Sequence, residues 1–582
     1  MPDHDSIAAL IPAFDRHFFD GRERMTRIGT GSIGGKAKGM ALMRDRIHAH
    51  FAESPIPGLA IDIPSLAVLG TDVFDQFIAE NNLLDIAHST RRDDEIAKAF
   101  QQAELPAQVV GDLRALIAQV HTPLAVRSSS HLEDAMYQPF ASVYTTKMIP
   151  NNQFDTDTRF RRLVEAIKYV YASTFFGNAK NYMLATEYTT SDEHMAVVIQ
   201  EIVGQRHEDR FYPHIAGVAR SYNYYPTGNA RPEDGVVDLA LGLGRTIVDE
   251  GLAWTYSPRF PRAKPPYNSP ADLLKNSQTR FWAVNMGAPP PYDPIRDTEY
   301  LKRSSIGDAE RDGVLGMLCS TYNAGDDRIE PGMRGSGPRV LDFAPILDYE
   351  EIPLNQALIT LLRLCEDTLS VPVEIEFAVT LPSRGITNAQ LGFLQVRPMV
   401  VSSEAVEVTA IELNGADVIA ATENALGNGE LDTLTDIVYV DPAHFSALRT
   451  RVIAGEIEVL NRALLSAGRP YVLIGFGRWG SSDPSLGIPV NFGQISGAKV
   501  IIESTLPEML VTLSQGSHFF HNITSFRIMY FSVAEGGGRN IDWSWLNKQT
   551  VVQATEHARW VRTEKPLVVR VDGRRGWGVI HR

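Results

Sequence analysis

Cysteine is nearly absent from this 582-residue chain: Cys319 and Cys365 are the only two, in unrelated contexts. Two such residues cannot build a disulfide framework or a cysteine-based metal site, and their scarcity fits a reducing cytoplasm. Long apolar runs are missing as well. No window approaches ~18 uninterrupted apolar residues, so a membrane span is not expected. The opening MPDHDSIAALIPAFDRHFFD carries acids where a signal peptide needs a basic region. An excess of positive charge is also lacking. The net charge of -15 argues against nucleic acid or an anionic membrane as the main partner, although a local basic pocket can hold phosphates in an acidic protein. Internal repeats and low-complexity tracts do not occur. What remains is an ordinary globular composition, 44% hydrophobic and 21% charged. The length suggests about three or four domains or lobes.

The densest polar signal is LAVRSSSHLEDAMYQPFASVYTT, Leu124 to Thr146. A short apolar run ends abruptly in Arg127 and three serines, with Glu133 and Asp134 close behind. A guanidinium among hydroxyl and amide donors suits a phosphate or carboxylate. An ordinary strand end in a polar loop fits this stretch equally well. A second signal is RIGTGSIGGKAKGM, in which Gly29, Gly31, Gly34 and Gly35 lead into a helix beginning near Lys36. Such a loop offers free amide N–H groups to an anion, and Lys36 adds a point charge. The spacing is neither that of a P-loop nor that of a dinucleotide fingerprint, and tight packing explains the glycines about as well.

Along residues 53–123 an apolar strand (LAVLG, 66–70) alternates with helices, TDVFDQFIAENN and the run from Glu95 to Val120. RRLVEAIKYVYASTFF reads as a packing helix, and MAVVIQEIVG (195–204) as a strand that turns polar at Gln200 and Glu201. Strands are expected at 217–225 and 236–241, then a second glycine-rich turn, DLALGLGRTIVDEG, with Gly242, Gly244 and Gly251. Residues 258–294, rich in proline and asparagine, read as an irregular excursion, and 353–369 as an amphipathic helix.

Two alternating segments follow. VPVEIEFAVT (371–380) places Val373, Ile375 and Phe377 on one face and Glu374 and Glu376 on the other. GFLQVRPMV (392–400) places Leu394 and Val396 opposite Gln395 and Arg397. The short Gly- and Asn-containing connection makes them antiparallel neighbours. With the apolar faces packed, both acids, the amide and the guanidinium look into one cleft. Carboxylates with an amide oxygen suit Mg²⁺, and an arginine beside them suits a transferring phosphoryl group. A solvated face with a cross-strand Glu–Arg pair is the plainer reading. The acid-acid pair opposite amide-arginine favours the site.

Together, AVRSSS-x-x-ED followed by PFAS, GGKAKGM, EIEFA and LQVRP resemble the ATP-binding domain of phosphoenolpyruvate synthase and pyruvate phosphate dikinase over about residues 25–403, in the family's order. The resemblance implies a mixed α/β (α+β) fold, the two-lobed ATP-grasp clamp, with ATP and Mg²⁺ as cofactors. The expected division is 1–190 for the first lobe, 191–405 for the second, and 406–582 for a C-terminal α/β domain. It further implies that Lys36, Arg127 and Ser128 meet phosphates and that Gln200, Glu201 and Val203 belong to a hinge that meets adenine. Gly242 and Gly244 would lie in the glycine-rich segment. Glu376 and Gln395, with Glu374, would be metal-side ligands, and Arg397 would stabilise the transferring phosphate; Arg397, Arg127 and Lys36 are the implied catalytic group. The chain departs from the family at Pro139-Phe140-Ala141-Ser142, where Ser-Phe-Ala-Gly is usual, and at Arg245, where an acid is common. Neither a T-S-H-A-type phosphohistidine motif nor the pyruvate-handling barrel is recognisable, so direct phosphoenolpyruvate synthesis by this chain alone is not expected.

In the C-terminal region, strands are expected at DIVYV, YVLIGF, AKVIIE and RIMYFSV. The loop of LIGFGRWGSSDPSLGIPV (473–490) reads either as an anion cradle or as a structural turn. His518 and His521, one helical turn apart, read first as core or interface histidines, otherwise as a phosphoryl acceptor or metal ligands. Three functions follow: a phosphotransferase that passes phosphate from Mg-ATP to a histidine or small-molecule acceptor, an ATP-grasp carboxylate ligase acting through an acyl phosphate, and a non-catalytic ATP sensor. Acceptor and oligomeric state are left open.

Overall fold

A computed structural model describes residues 11–15, 24–130, 143–184, 193–223, 226, 229–250, 253–263, 270–275, 277–382, 387–399, 401, 406–481, 483, 485–509, 511, 513–514, 523, 528–534 and 541–582. The chain mixes helices and sheets throughout, as the sequence pattern requires. Strand β1 (Met25–Ile28) precedes helix α1 (Gly34–Glu53), strand β2 (Leu59–Asp62), strand β3 (Leu66–Leu69) and helix α2 (Thr71–Glu80). The helical run expected over Glu95 to Val120 is two helices, α3 (Asp93–Gln102) and α4 (Ala107–Gln119). Pro106 sits between them and disfavours helical backbone at Leu105.

Strands β4 (Leu124–Ser130) and β5 (Thr146–Ile149), helix α5 (Thr156–Ser173) and strand β6 (Met195–Glu201) follow. The first sheet runs β1-β3-β6-β4-β5. The second sheet takes β7 (Ile215–Arg220), β8 (Val236–Ala240), β9 (Trp254–Tyr256), β10 (Val373–Thr380) and β11 (Ala389–Pro398), in the order β9-β8-β7-β10-β11-β2. Thus β6 joins the first sheet although it follows residue 190, and β2 joins the second although it precedes it. Residues 258–294 are not wholly irregular: Arg280–Asn285 is an inner strand of a four-stranded sheet.

One apolar core ties the two sheets together. Leu66, Val68, Ala196 and Val198 from the first sheet pack with Ala37 and Met40 of α1, and with Ile375, Phe377 and Val396 of the second. Helix α6 (Leu354–Leu369) closes the far side with Leu354, Leu358, Leu361 and Cys365 at helical spacing. Burial pushes the Cys319 and Cys365 thiols up to about 12, so neither is a nucleophile.

The C-terminal region is α/β as expected. A parallel run, Gly429–Val440, Tyr471–Phe476, Ala498–Ser504 and Met529–Val533, is extended by antiparallel strands, and helix α7 (Thr450–Ser466) makes the first crossover. The face bearing Val438, Tyr471 and Leu473 shares a core cluster with Phe77 of α2, Phe100 of α3 and Tyr171 of α5. Among the described residues no helix is long and apolar enough to cross a membrane.

Candidate functional site

The site lies where the end of β4 meets the strand pair β10–β11. Pairing sets Glu374 opposite Arg397 and Glu376 opposite Gln395, so all four side chains share a face, as their alternation predicts. The alternation then breaks. Phe377 pairs with Phe393, leaving Leu394 as the extra residue of a β-bulge. The expected apolar partners Leu394 and Val396 are therefore corrected: Phe393 and Val396 enter the core, and Leu394 stays half-buried. The bulge leaves the Leu394 carbonyl to accept from Arg127 Nη1 at 3.3 Å.

Arg127 reaches this face from the other sheet. Its Nη2 donates to Glu376 Oε2 at 2.8 Å and to Gln395 Oε1 at 2.8 Å, while Nη1 lies 3.5 Å from Gln200 Oε1. Arg397 Nη2 donates to the other Glu376 oxygen at 2.7 Å, and its Nε lies 3.1 Å from Glu374 Oε1. Burial would raise the Glu376 carboxyl, but the Arg127 and Arg397 guanidiniums outweigh it and hold the group below the ordinary range. Glu376 is thus an anion between two cations. Among the described residues the buried Gln395 amide nitrogen has no hydrogen-bond partner, leaving a donor that an incoming oxygen would satisfy.

Of the two sequence readings of the glycine-rich loop, an anion cradle and tight packing, the geometry at Thr30, Gly31 and Gly34 follows the second. Thr30 and Gly31 do not offer free amides: Asp72 accepts from them at 2.9 and 2.8 Å, and from Thr30 Oγ1 at 3.1 Å. Burial raises the Asp72 carboxyl, yet these hydrogen bonds together hold it below its ordinary value. The anion in this nest is the protein's own. Gly34 has another reason to be glycine. Its φ is 71°, and a Cβ there would stand 1.5 Å from the Ser129 carbonyl oxygen. That approach lets Ser129 Oγ donate to Ile33 O at 2.8 Å and accept from Ala37 N–H at 3.2 Å. Lys36 donates to Ser128 O at 3.0 Å and Oγ at 3.2 Å. The serines after Arg127 are buried and support α1 and Lys36.

Of the expected hinge, Glu201 N–H already donates to Ser65 O at 3.0 Å and Ile202 N–H to Pro123 O at 2.9 Å. Those two amides are engaged within the protein. The Glu201 carboxylate accepts from Thr122 Oγ1 at 2.6 Å, and Val203 packs over Gly392. Gly242, at φ 87°, would bring a Cβ within 2.7 Å of Trp282 O, whereas Gly244 faces open space. Arg245 pairs with Asp297 at 2.6 Å and lies over the Trp282 ring. In the C-terminal region Gly475 lies within the strand Tyr471–Phe476, where a Cβ would stand 2.2 Å from buried Trp479. Glu133, Asp134, Pro139, Phe140, Ala141, Ser142, Gly251, His518 and His521 lie outside the described residues.

Two participants were not singled out from sequence. Arg220, at the end of the apolar strand IAGVAR, faces Glu374 in register and donates to it at 2.7 Å. Its Nη1 donates to Asp238 at 2.8 Å. The sequence signal was available: an apolar strand ending in arginine, as at LAVR.

The donors at this cleft fit a hard divalent cation in part. Glu376 and Gln395 supply carboxylate and amide oxygen, both now turned toward Arg127. Glu374, 1% exposed and set between Arg220 and Arg397, is placed to support arginines and not to meet a hydrated metal. Among the described residues the group with metal-like spacing is elsewhere, at Glu456, Glu556 and His557. There Glu456 already accepts from Thr555 Oγ1, from His557 N–H and, at 2.9 Å, meets the His557 ring.

Mixed sheets meeting over arginines, a lysine and a carboxylate-amide pair have the chemistry of a phosphate-binding class of domain. Residues 30–415, well over half the chain, match the family model of the pyruvate phosphate dikinase AMP/ATP-binding domain. The chain belongs to that family. Comparison with curated proteins gives no match.

Proposed function

We propose that the chain is a dikinase-type phosphotransferase that binds Mg-ATP between its two sheets and passes phosphate to a histidine or small-molecule acceptor. The observation that carries this reading is the guanidinium–carboxylate cluster in which Arg127 of one sheet meets Glu376 and Gln395 of the other. Arg127 and Lys36 would bind phosphate oxygens, and the buried serines beneath Lys36 would hold its ammonium in place. Mg²⁺ would be held by Glu376 and Gln395, and would neutralise charge on the phosphates. For that, the Arg127 guanidinium must turn from these two side chains toward the nucleotide. Arg397 would stabilise charge on the transferring group.

A test is to incubate the protein with Mg²⁺ and ATP labelled separately at the β and γ phosphates. AMP release or acid-labile label on the protein is the expected result. ADP formed only when a carboxylate and an amine are supplied would replace this reading with acyl-phosphate ligation. Nucleotide binding without turnover across a broad acceptor panel would replace it with an ATP sensor.

A further inference from the structure

We infer that Arg220 is a positioning residue that sets how Arg397 is shared between Glu374 and the cleft; the inference rests on the proposed phosphate-transfer role of Arg397. Arg220 stands behind the cleft on β7, in register with Glu374. From there a line of alternating charge runs across five strands, β8, β7, β10, β11 and β4. Thr255 Oγ1 donates to Asp238 at 2.6 Å, and Asp238 holds Arg220 at 2.8 Å. Arg220 holds Glu374 at 2.7 Å, Glu374 meets Arg397 at 3.1 Å, and Arg397 meets Glu376 at 2.7 Å. Glu376 meets Arg127 at 2.8 Å.

The physical consequence follows from burial. Glu374 is 1% exposed at its side chain, so water does little to screen its charge, and its full charge must be balanced by what touches it. Arg220 takes one carboxylate oxygen and leaves the other for Arg397 Nε. Arg397 therefore keeps its terminal Nη2 on Glu376, whose side chain is 26% exposed at the cleft. Without Arg220, Glu374 would draw more strongly on Arg397 and pull that guanidinium back from the cleft. Asp238, anchored by Thr255, keeps Arg220 itself from moving forward. Arg220 reaches the reaction only through Glu374 and Arg397.

The test compares wild type with Arg220→Met, Arg220→Lys and Arg220→Met/Glu374→Gln, each checked for folding by circular dichroism and thermal unfolding. ATP affinity is read by calorimetry and turnover by labelled ATP. Arg220→Met is expected to lower turnover at least tenfold while ATP affinity changes less than about threefold. The double variant, which removes the charge Arg220 balances, is expected to recover most of the turnover. If Arg220→Met does not fold, Arg220→Lys carries the same comparison, with a smaller loss because it keeps a point charge without the guanidinium fork. Unchanged turnover in the folded variants, or a double variant no better than Arg220→Met, overturns the inference while ATP binding and turnover by wild type stand. A wild type that neither binds nor turns over ATP overturns both readings together.

Discussion

The strand pair β10–β11 and the glycine-rich loop before α1 carried comparable promise as sequences, and the structure treats them in opposite ways. Both were legible as anion-handling chemistry. At the strand pair the expected side chains do converge: Glu374, Glu376, Gln395 and Arg397 share a face. At the loop, the amides of Thr30 and Gly31 are occupied by Asp72, and the helix start is closed by Ser129. The difference lies in range. Which face a strand residue takes is fixed by its neighbours two positions away and by the strand beside it. Whether a nest of amides is empty depends on a residue about forty positions downstream, and nothing local announces it.

That contrast can be broken at several points. The largest effect is expected at the strand pair: Arg397→Ala should lower turnover by about a hundredfold or more. The protein should stay folded, because Arg220 still balances Glu374. A turnover assay with a thermal unfolding control decides it. Next comes Gly34→Ala. With φ at 71° and the Ser129 carbonyl 1.5 Å from the added Cβ, the change should destabilise the protein by about 3 kcal/mol or more, read by denaturant unfolding. The reason is packing, so added phosphate should not restore it.

Asp72→Ala should lower stability by about 1–3 kcal/mol, since it leaves the Thr30 and Gly31 donors unsatisfied. ATP affinity should stay as in wild type. A marked rise in ATP affinity would show that Asp72 had been standing in a phosphate site, and the contrast between loop and strands would collapse. The smallest effect concerns acid. Glu376 and Asp72 are both held below their ordinary values of 4.5 and 3.8. A lowered folded-state value means that the stability each contributes is present above its unfolded value and is lost as pH falls through the folded one. Glu376→Gln and Asp72→Asn should therefore each flatten the acid side of the stability–pH curve, measured as Tm below about pH 5.

Much of the fold was readable because periodicity was strong. The strands 66–69, 195–201, 373–380 and 389–398, and the helix 354–369, fall where alternation or helical spacing put them. The failures have local physical causes. Pro106 divides a run that otherwise looks helical, and the strand Arg280–Asn285 was obscured by its proline- and asparagine-rich surroundings. The bulge at Leu394 exchanged one core residue for another. Within the site, residue chemistry identified Arg127 but not its route across to Glu376, which is a tertiary contact between distant segments. Arg220 was passed over because an arginine ending an apolar strand has no stated purpose until Glu374 is placed beside it. Family membership supplies the AMP/ATP-binding domain over residues 30–415, and beyond it the α/β character of the C-terminal region was legible from its apolar strand segments, which the structure pairs into one sheet.

The central claim is that the Arg127 cluster is where nucleotide phosphate is held. Calorimetric titration of Mg-ATP into wild type and Arg127→Met tests it most directly, with unfolding curves to confirm that the variant is folded. The account predicts saturable binding by wild type and a loss of about tenfold or more in the variant, the worth of a charge-assisted hydrogen bond to phosphate. Equal affinity in the two proteins would contradict it.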